Sequence, residues 1–193
     1  MLGLIESFKF LERNKIPIAR WEIIEDKNFE KTKFAYPFFI KADLPKGEHK
    51  TEQKAVIKCD NQKQAEENLN FLRKKFPNQK IIIQESAEGK EMIIGIKEDN
   101  IFGKVLLIGF GGTDIEVIKD VQFRKIPLSN KEIHDAIKNL KLYDSLTKRK
   151  KFAIDEFERL AEKISKLKIK EMDLNPVILT ESKALIVDAR IEA

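Results

Sequence analysis

Apolar positions along the chain fall into two kinds of pattern, one with a helical repeat and one extended. Leu4, Ile5, Phe8 and Leu11 recur at helical spacing, which predicts an amphipathic helix running to about Asn14 and ended by Ile16-Pro17-Ile18. Ala65, Leu69, Leu72 and Phe76 predict a second helix, with Asp60 or Asn61 before it as N-cap. Ser129 followed by Glu132 has capping-box spacing ahead of Ile133, Ile137 and Leu140, and predicts a third. The stripe Ile154, Phe157, Leu160, Ala161, Ile164 and Leu167 predicts the last long one. Between these helices lie short apolar runs that read as strands: 36–41, 55–59, 81–85, 92–96, 105–108 and 115–121. Two more, 170–179 and 184–191, flank a polar turn. Strands come in pairs with helices between them rather than in strict alternation, so the expected class is α+β with mostly antiparallel sheets.

Composition narrows the function classes. The chain has 193 residues, of which 42% are hydrophobic and 36% charged, enough for a packed core. Its net charge of +5 suits an anionic ligand. The lysines are interleaved with acids, and the densest cluster, Lys148 to Lys151, is a short solvated run, which argues against nucleic acid. A single cysteine, Cys59, leaves no internal disulfide and no Cys-based zinc site, and two histidines leave no His-rich metal centre. The first ten residues lack an apolar signal core, and the apolar run near Val105 to Phe110 is too short to span a bilayer. A cytoplasmic protein with no membrane partner is expected.

The C-terminal hairpin carries the most chemistry. Alternation puts Glu171, Asp173 and Asn175 on one strand face, and Asp188 and Arg190 on one face of the next strand. A turn centred on Glu181-Ser182 sets Asn175 opposite Asp188, and Asp173 opposite Arg190. Opposed residues have Cβ atoms about 5 Å apart, so two oxygen ligands so placed could share one Mg²⁺. A polar outer face with an Asp–Arg cross-strand pair fits the same pattern. Gly109-Phe110-Gly111-Gly112-Thr113 follows an apolar strand, and glycine lets backbone N–H groups approach a phosphate. The segment is neither a Walker A loop nor a dinucleotide fingerprint, and a tight turn is the commoner explanation of such a motif. Glu116, Asp120 and Arg124 would share a face of one continuous strand. Lys41 closes an apolar strand and needs solvent or a partner such as a phosphate. His49 lies in a polar loop, where it could accept a phosphoryl group or merely face solvent, while His134 falls within the capped helix and reads as structural.

Several segments, in order, resemble the β subunit of ADP-forming acetyl-CoA (acyl-CoA) synthetases, an ATP-grasp family related to succinyl-CoA synthetase. They are Tyr36-Pro37-Phe38-Phe39-Ile40-Lys41, His49-Lys50-Thr51-Glu52, Ile83-Gln84-Glu85, Gly89-Lys90-Glu91, Phe102-Gly103 through Gly112 with Glu116-Val117, Asp120-Val121 and Phe123-Arg124, and the closing Glu171-Met172-Asp173-Leu174-Asn175-Pro176 and Val187-Asp188-Ala189-Arg190-Ile191. The resemblance implies one ATP-grasp domain over 1–193. Its smaller lobe would be about 18–84, its larger lobe about 85–193 with helix 2–14, and nucleotide would lie between them. It implies ATP/ADP and Mg²⁺ as cofactors, with Asn175 and Asp188, and Asp173 beside them, as metal ligands. Lys41, Glu85, Glu91, Gly111, Gly112 and Glu116 would hold the nucleotide, and His49 and Arg124 would be catalytic.

The implied reaction transfers phosphoryl between a phosphohistidine and ADP, within the exchange acyl-CoA + ADP + phosphate = acid + CoA + ATP. The chain has no dinucleotide-type CoA segment, so CoA and acyl sites are expected on an α partner in a hetero-oligomer. Where the family has two glycines after the histidine stretch, this chain has Gln53-Lys54-Ala55. A non-catalytic nucleotide-sensing module stays open on that account, and another ATP-grasp ligase, such as one acting on succinate, is the alternative within the enzyme class.

Overall fold

The computed structural model describes residues 1–25, 33–44, 54–112, 119–148 and 151–192. They form two compact units. One consists of Gly3–Ile5 and Ala19–Ser86; the other of Met1–Leu2, Glu6–Ile18 and Ala87–Ala193.

The first unit is a four-stranded antiparallel sheet backed by a helix. Its strands are β1 (Trp21–Ile23), β2 (Phe38–Ala42), β3 (Val56–Cys59) and β4 (Ile81–Glu85), in the order β1-β4-β2-β3. Phe38, Ile40, Ile81 and Ile83 share one face and pack on Ala65, Leu69 and Leu72 of α2 (Gln62–Lys75). The predicted helix starts where expected, because Asn61 Oδ1 accepts the Gln64 N–H at 3.0 Å and so caps a free amide of the first turn. Cys59 is a free, buried thiol; burial pushes its pKa up, and it behaves as a small core residue. Asp43, just past β2, accepts the Leu4 N–H at 2.6 Å and so ties the start of α1 (Leu4–Arg13) to the end of the strand. The short strand β1 was not visible in the hydrophobic pattern.

The second unit is a larger antiparallel sheet. Its strands are β5 (Lys90–Asp99), β6 (Gly103–Phe110), β7 (Val121–Lys125), β8 (Glu171–Leu179), β9 (Ala184–Ile186) and β10 (Arg190–Glu192). The order is β10-β8-β5-β6-β7, with β9 also pairing β8. Helices α3 (Asn130–Lys138), α4 (Asp144–Thr147) and α5 (Ile154–Ser165), with the part of α1 from Glu6 onward, belong to the same unit. Ile133, Ala136 and Ile137 of α3, with Phe157, Leu160, Ala161 and Ile164 of α5, are buried, as are Met92, Ile94 and Ile96 of β5. The helical stripes read from sequence are therefore the core-facing sides.

Helix α3 has both halves of its capping box. Ser129 Oγ accepts the Glu132 N–H at 3.3 Å, and the Glu132 carboxylate accepts the Ser129 N–H at 2.8 Å. The backbone bond, then the hydroxyl bond, holds the Glu132 carboxyl below its ordinary pKa. A depressed pKa in the folded state gives stability that is present above the ordinary glutamate value and lost as pH falls through the depressed one. Ser129→Ala is expected to lower the thermal midpoint by about 2–4 °C near neutral pH. The difference from wild type should shrink on acidification, and calorimetry at several pH values checks both. His134, on the same helix, pairs with Glu158 at 2.8 Å on the surface, in keeping with a structural role. Among the described residues, no helix is long and apolar enough to cross a membrane.

Candidate functional site

The C-terminal ladder keeps the expected register on both sides of the residues of interest. Val177 pairs with Ile186, Ile178 with Leu185 and Leu179 with Ala184, while Asp173 pairs with Arg190 and Met172 with Ile191. Asn175 and Asp188 lie in the gap between these two paired stretches, opposite each other by continuity of the count.

Neither strand runs straight through that gap. Between β5 and β8 the register shifts: Met92 pairs with Val177 but Ile94 pairs with Leu174, so one residue, Ile93, opposes both Asn175 and Pro176. Such a bulge bends a strand and re-aims its side chains. Pro176 also has no N–H to give a ladder. On the other strand, Ala184 and Ile186 are buried and then Ala189 and Ile191 are buried, so the alternation skips a beat across Val187-Asp188. The single final strand expected from sequence is thus two, β9 and β10. Because both strands take one extra residue at the same level, the register survives. Asn175 is exposed, Asp188 and Asp173 are half-buried, and Asp188 Oδ1 accepts the Ala189 N–H at 3.0 Å.

The glycine turn meets this ladder. Gly111 donates its N–H to the Glu91 carbonyl at 2.8 Å. A Cβ built on Gly111 would stand 2.7 Å from the Met92 carbonyl oxygen and 2.9 Å from Asn175 Oδ1. No side chain fits there, and the backbone comes within contact of the Asn175 carboxamide as a result. Gly112 has φ +84, in the left-handed region, and the Glu91 carboxylate occupies the space its Cβ would take, 2.0 Å away. Gly111, Gly112, Glu91 and Asn175, from three separate segments, therefore converge on one spot in this unit.

Other expected members stand elsewhere. Arg124 on β7 has its guanidinium Nη1 tied to Gln122 Oε1 at 3.1 Å and to the Phe123 carbonyl at 2.8 Å, so the fork is held in one orientation. Asp120 lies one residue before β7, with even spacing to Gln122 and Arg124, and its carboxylate is already engaged. It is 2% exposed, and its two carboxylate oxygens accept the Lys141 and Leu142 N–H groups at 2.9 Å each. Asp120 closes the turn after α3, which sequence spacing alone could not show. Glu116 and His49 lie outside the described residues. Lys54 has φ +50, in the left-handed region that favours glycine.

In the smaller unit, Lys41 is 5% exposed on β2 and lies opposite Val56 and Ile82, with Nζ 5.7 Å from the centre of the Phe39 ring. Glu85 ends β4; its N–H donates to the Arg20 carbonyl and its carboxylate accepts the Arg20 N–H, both at 2.9 Å. That pair of bonds fixes the chain as it leaves the strand.

Hard oxygen donors are what Mg²⁺ takes, and it keeps part of its shell for water and phosphate, so a carboxamide and a carboxylate on facing strands fit that ion. Among the described residues no group of three or more His, Cys, Asp or Glu forms a metal cluster of the kind that encloses an ion by protein alone. The donor set suits an ion shared with phosphates.

Two antiparallel sheets, each with its helices, and a glycine turn meeting an Asn/Asp ladder define an ATP-grasp protein, and the ATP-grasp domain family matches residues 1–193. The β subunit of acetate–CoA ligase [ADP-forming] II from Pyrococcus furiosus is 36% identical over 176 residues, covering 81% of this chain and 75% of that one. The chain belongs to the ATP-grasp family, in its ADP-forming acyl-CoA ligase β-subunit branch. Acetate–CoA ligase [ADP-forming] I of Archaeoglobus fulgidus is 31% identical over 205 residues; the match takes in 96% of this chain and 30% of that longer protein. Among solved structures, acetyl-coenzyme A synthetase 1 of Ca. Korarchaeum cryptofilum superposes with a TM-score of 0.81 at 27% identity, over 98% of this chain and 91% of that chain. It holds coenzyme A and Mg-AMPPCP, with its phosphohistidine segment pointing towards the nucleotide-binding site.

Proposed function

We propose that this chain is the nucleotide-binding β part of an ADP-forming acid–CoA ligase and moves a phosphoryl group between a histidine and ADP. The observation that carries the reading is the convergence of the Gly111-Gly112 turn with Asn175 and Glu91, which offers backbone approach and oxygen donors at one spot. In the direction of ATP formation, the P–N bond of a phosphohistidine breaks and a bond forms from phosphorus to a terminal β-phosphate oxygen of ADP. The electron pair of the broken bond returns to the imidazole nitrogen as its lone pair. His49 is the proposed carrier on this chain, receiving the group from a histidine on an α partner.

Phosphoryl transfer asks a protein mainly for positioning and charge neutralisation. Lys41 and the fixed fork of Arg124 are the proposed phosphate contacts, since both present cationic donors. Gly111 and Gly112 would cover the phosphates with backbone, and Glu85 would lie at the adenine. Glu91 and Glu116 are proposed further members of the nucleotide site. Asn175 and Asp188, with Asp173 beside them, would hold Mg²⁺, whose contribution is to bridge and neutralise phosphate oxygens. The full exchange, acyl-CoA + ADP + phosphate = acid + CoA + ATP, then requires the α partner for its CoA and acyl sites, which makes the working enzyme a cytoplasmic hetero-oligomer.

Incubation of the chain with γ-³²P-labelled Mg-ATP, with denaturation in acid and in base, tests the relay. An acid-labile, base-stable label is expected on wild type and none on His49→Asn. If the two proteins label alike, His49 is not the carrier; if neither labels while Mg-ATP still binds, the chain is the nucleotide-sensing module that Gln53-Lys54-Ala55 leaves open.

A further inference from the structure

The smaller sheet has two faces. The one carrying Phe38, Ile40, Ile81 and Ile83 is filled by α2. On the opposite face, Gln84 stands between two aromatic positions, facing Phe39 on β2 and Trp21 on β1. Two residues further along β2 on this face, about 7 Å away, is Lys41.

Gln84 is 1% exposed, and its amide is only half used. Nε2 donates to the Ala19 carbonyl at 3.4 Å, while Oε1 is buried without a hydrogen-bond partner. Turning the amide over would set Oε1 against the Ala19 carbonyl, acceptor against acceptor, so the backbone of Ala19 fixes which atom is spare. A buried acceptor left unmatched costs the free protein its desolvation, and such groups are rare in folded chains. What would satisfy it is a donor. Between two aromatic positions, with a lysine on the same face, a donor on a flat heteroaromatic ring is the fitting chemistry.

We propose that Gln84 selects the base: its Oε1 accepts a hydrogen bond from the 6-amino group of adenine and excludes guanine. Guanine carries a carbonyl oxygen at that position and would leave two acceptors facing each other in a buried site. The inference rests on the nucleotide reading above and deepens it, because it names the residue that makes the substrate ADP rather than GDP.

Calorimetric titration with the Mg²⁺ complexes of ADP, GDP and purine riboside 5′-diphosphate, which has hydrogen at position 6, tests it. Wild type is expected to bind ADP roughly 10- to 100-fold tighter than GDP, with the purine riboside nucleotide between them. In Gln84→Met, of similar volume but without the amide, ADP and GDP should come within about threefold of each other through loss of ADP affinity. The wild-type ligand series needs no variant, so it decides even if Gln84→Met folds poorly. Equal binding of ADP and GDP by wild type, or an undiminished preference in a folded Gln84→Met, overturns the assignment and leaves the nucleotide reading intact. Failure of wild type to bind any of the three removes that reading and this one with it.

Discussion

Joint replacement of Asn175 and Asp188 by alanine is expected to weaken Mg-ADP binding by at least about 100-fold, since the loss of mere supporting groups around a metal already costs 10- to 100-fold. The basis is the register of the last ladder, which is fixed on both sides of this pair and by count sets the two residues opposite each other. Both side chains lie outside the buried core, Asn175 exposed and Asp188 half-buried, so the double variant should fold. Wild type in excess EDTA should drop to a similar weak affinity, because the variant and the chelator remove the same contribution. Titration calorimetry in the two conditions measures this. Retention of tight, Mg²⁺-dependent binding by the double variant would remove these residues from the metal site.

Gly111→Val should produce the second large effect. Its Cβ would press on the Met92 carbonyl at 2.7 Å, which belongs to the sheet backbone and has little freedom to withdraw, and on Asn175 Oδ1 at 2.9 Å. Overpacking of this kind typically costs about 1–3 kcal/mol, or several degrees in thermal midpoint for a chain of this size. Displacement of Asn175 should also lower Mg-ADP affinity by about 10-fold or more, in the range found when groups supporting a metal ligand are lost. Gly103→Val is the matched control. Gly103 has φ +73 but nothing within 4 Å of its Cβ position, so strain there should cost stability and leave nucleotide affinity unchanged. Equal nucleotide affinity in the Gly111 and Gly103 variants would mean that the close approach at Gly111 has no bearing on the ligand.

Much of the fold is legible in the chain because its signals are local. Asn61 and the Ser129–Glu132 pair cap the helices that their spacing announces, and the buried stripes of α2, α3 and α5 are the apolar ones in the sequence. The pairing of Asp173 with Arg190 follows from the turn and the two-residue period of a strand. Asp120 shows where local spacing stops: its partners are two amides about twenty residues later, supplied by a turn whose position depends on packing. Gln84 falls within the segment Ile83-Gln84-Glu85 that carries part of the resemblance, but nothing in the sequence singles out its side chain. Its meaning depends on which atom the Ala19 carbonyl leaves unmatched.

What the sequence by itself determined, then, is the longer helices and most of the strands, the inward faces of those helices and the register of the last hairpin, all consequences of periodicity and of short-range hydrogen bonding. Only the tertiary structure decided that the Gly111-Gly112 turn abuts Asn175 and Glu91, and that matched irregularities at Asn175-Pro176 and Val187-Asp188 keep the two strands in step. Those outcomes depend on how strands distant in sequence are laid side by side, where a single extra residue changes the face a side chain takes, and no local pattern records it.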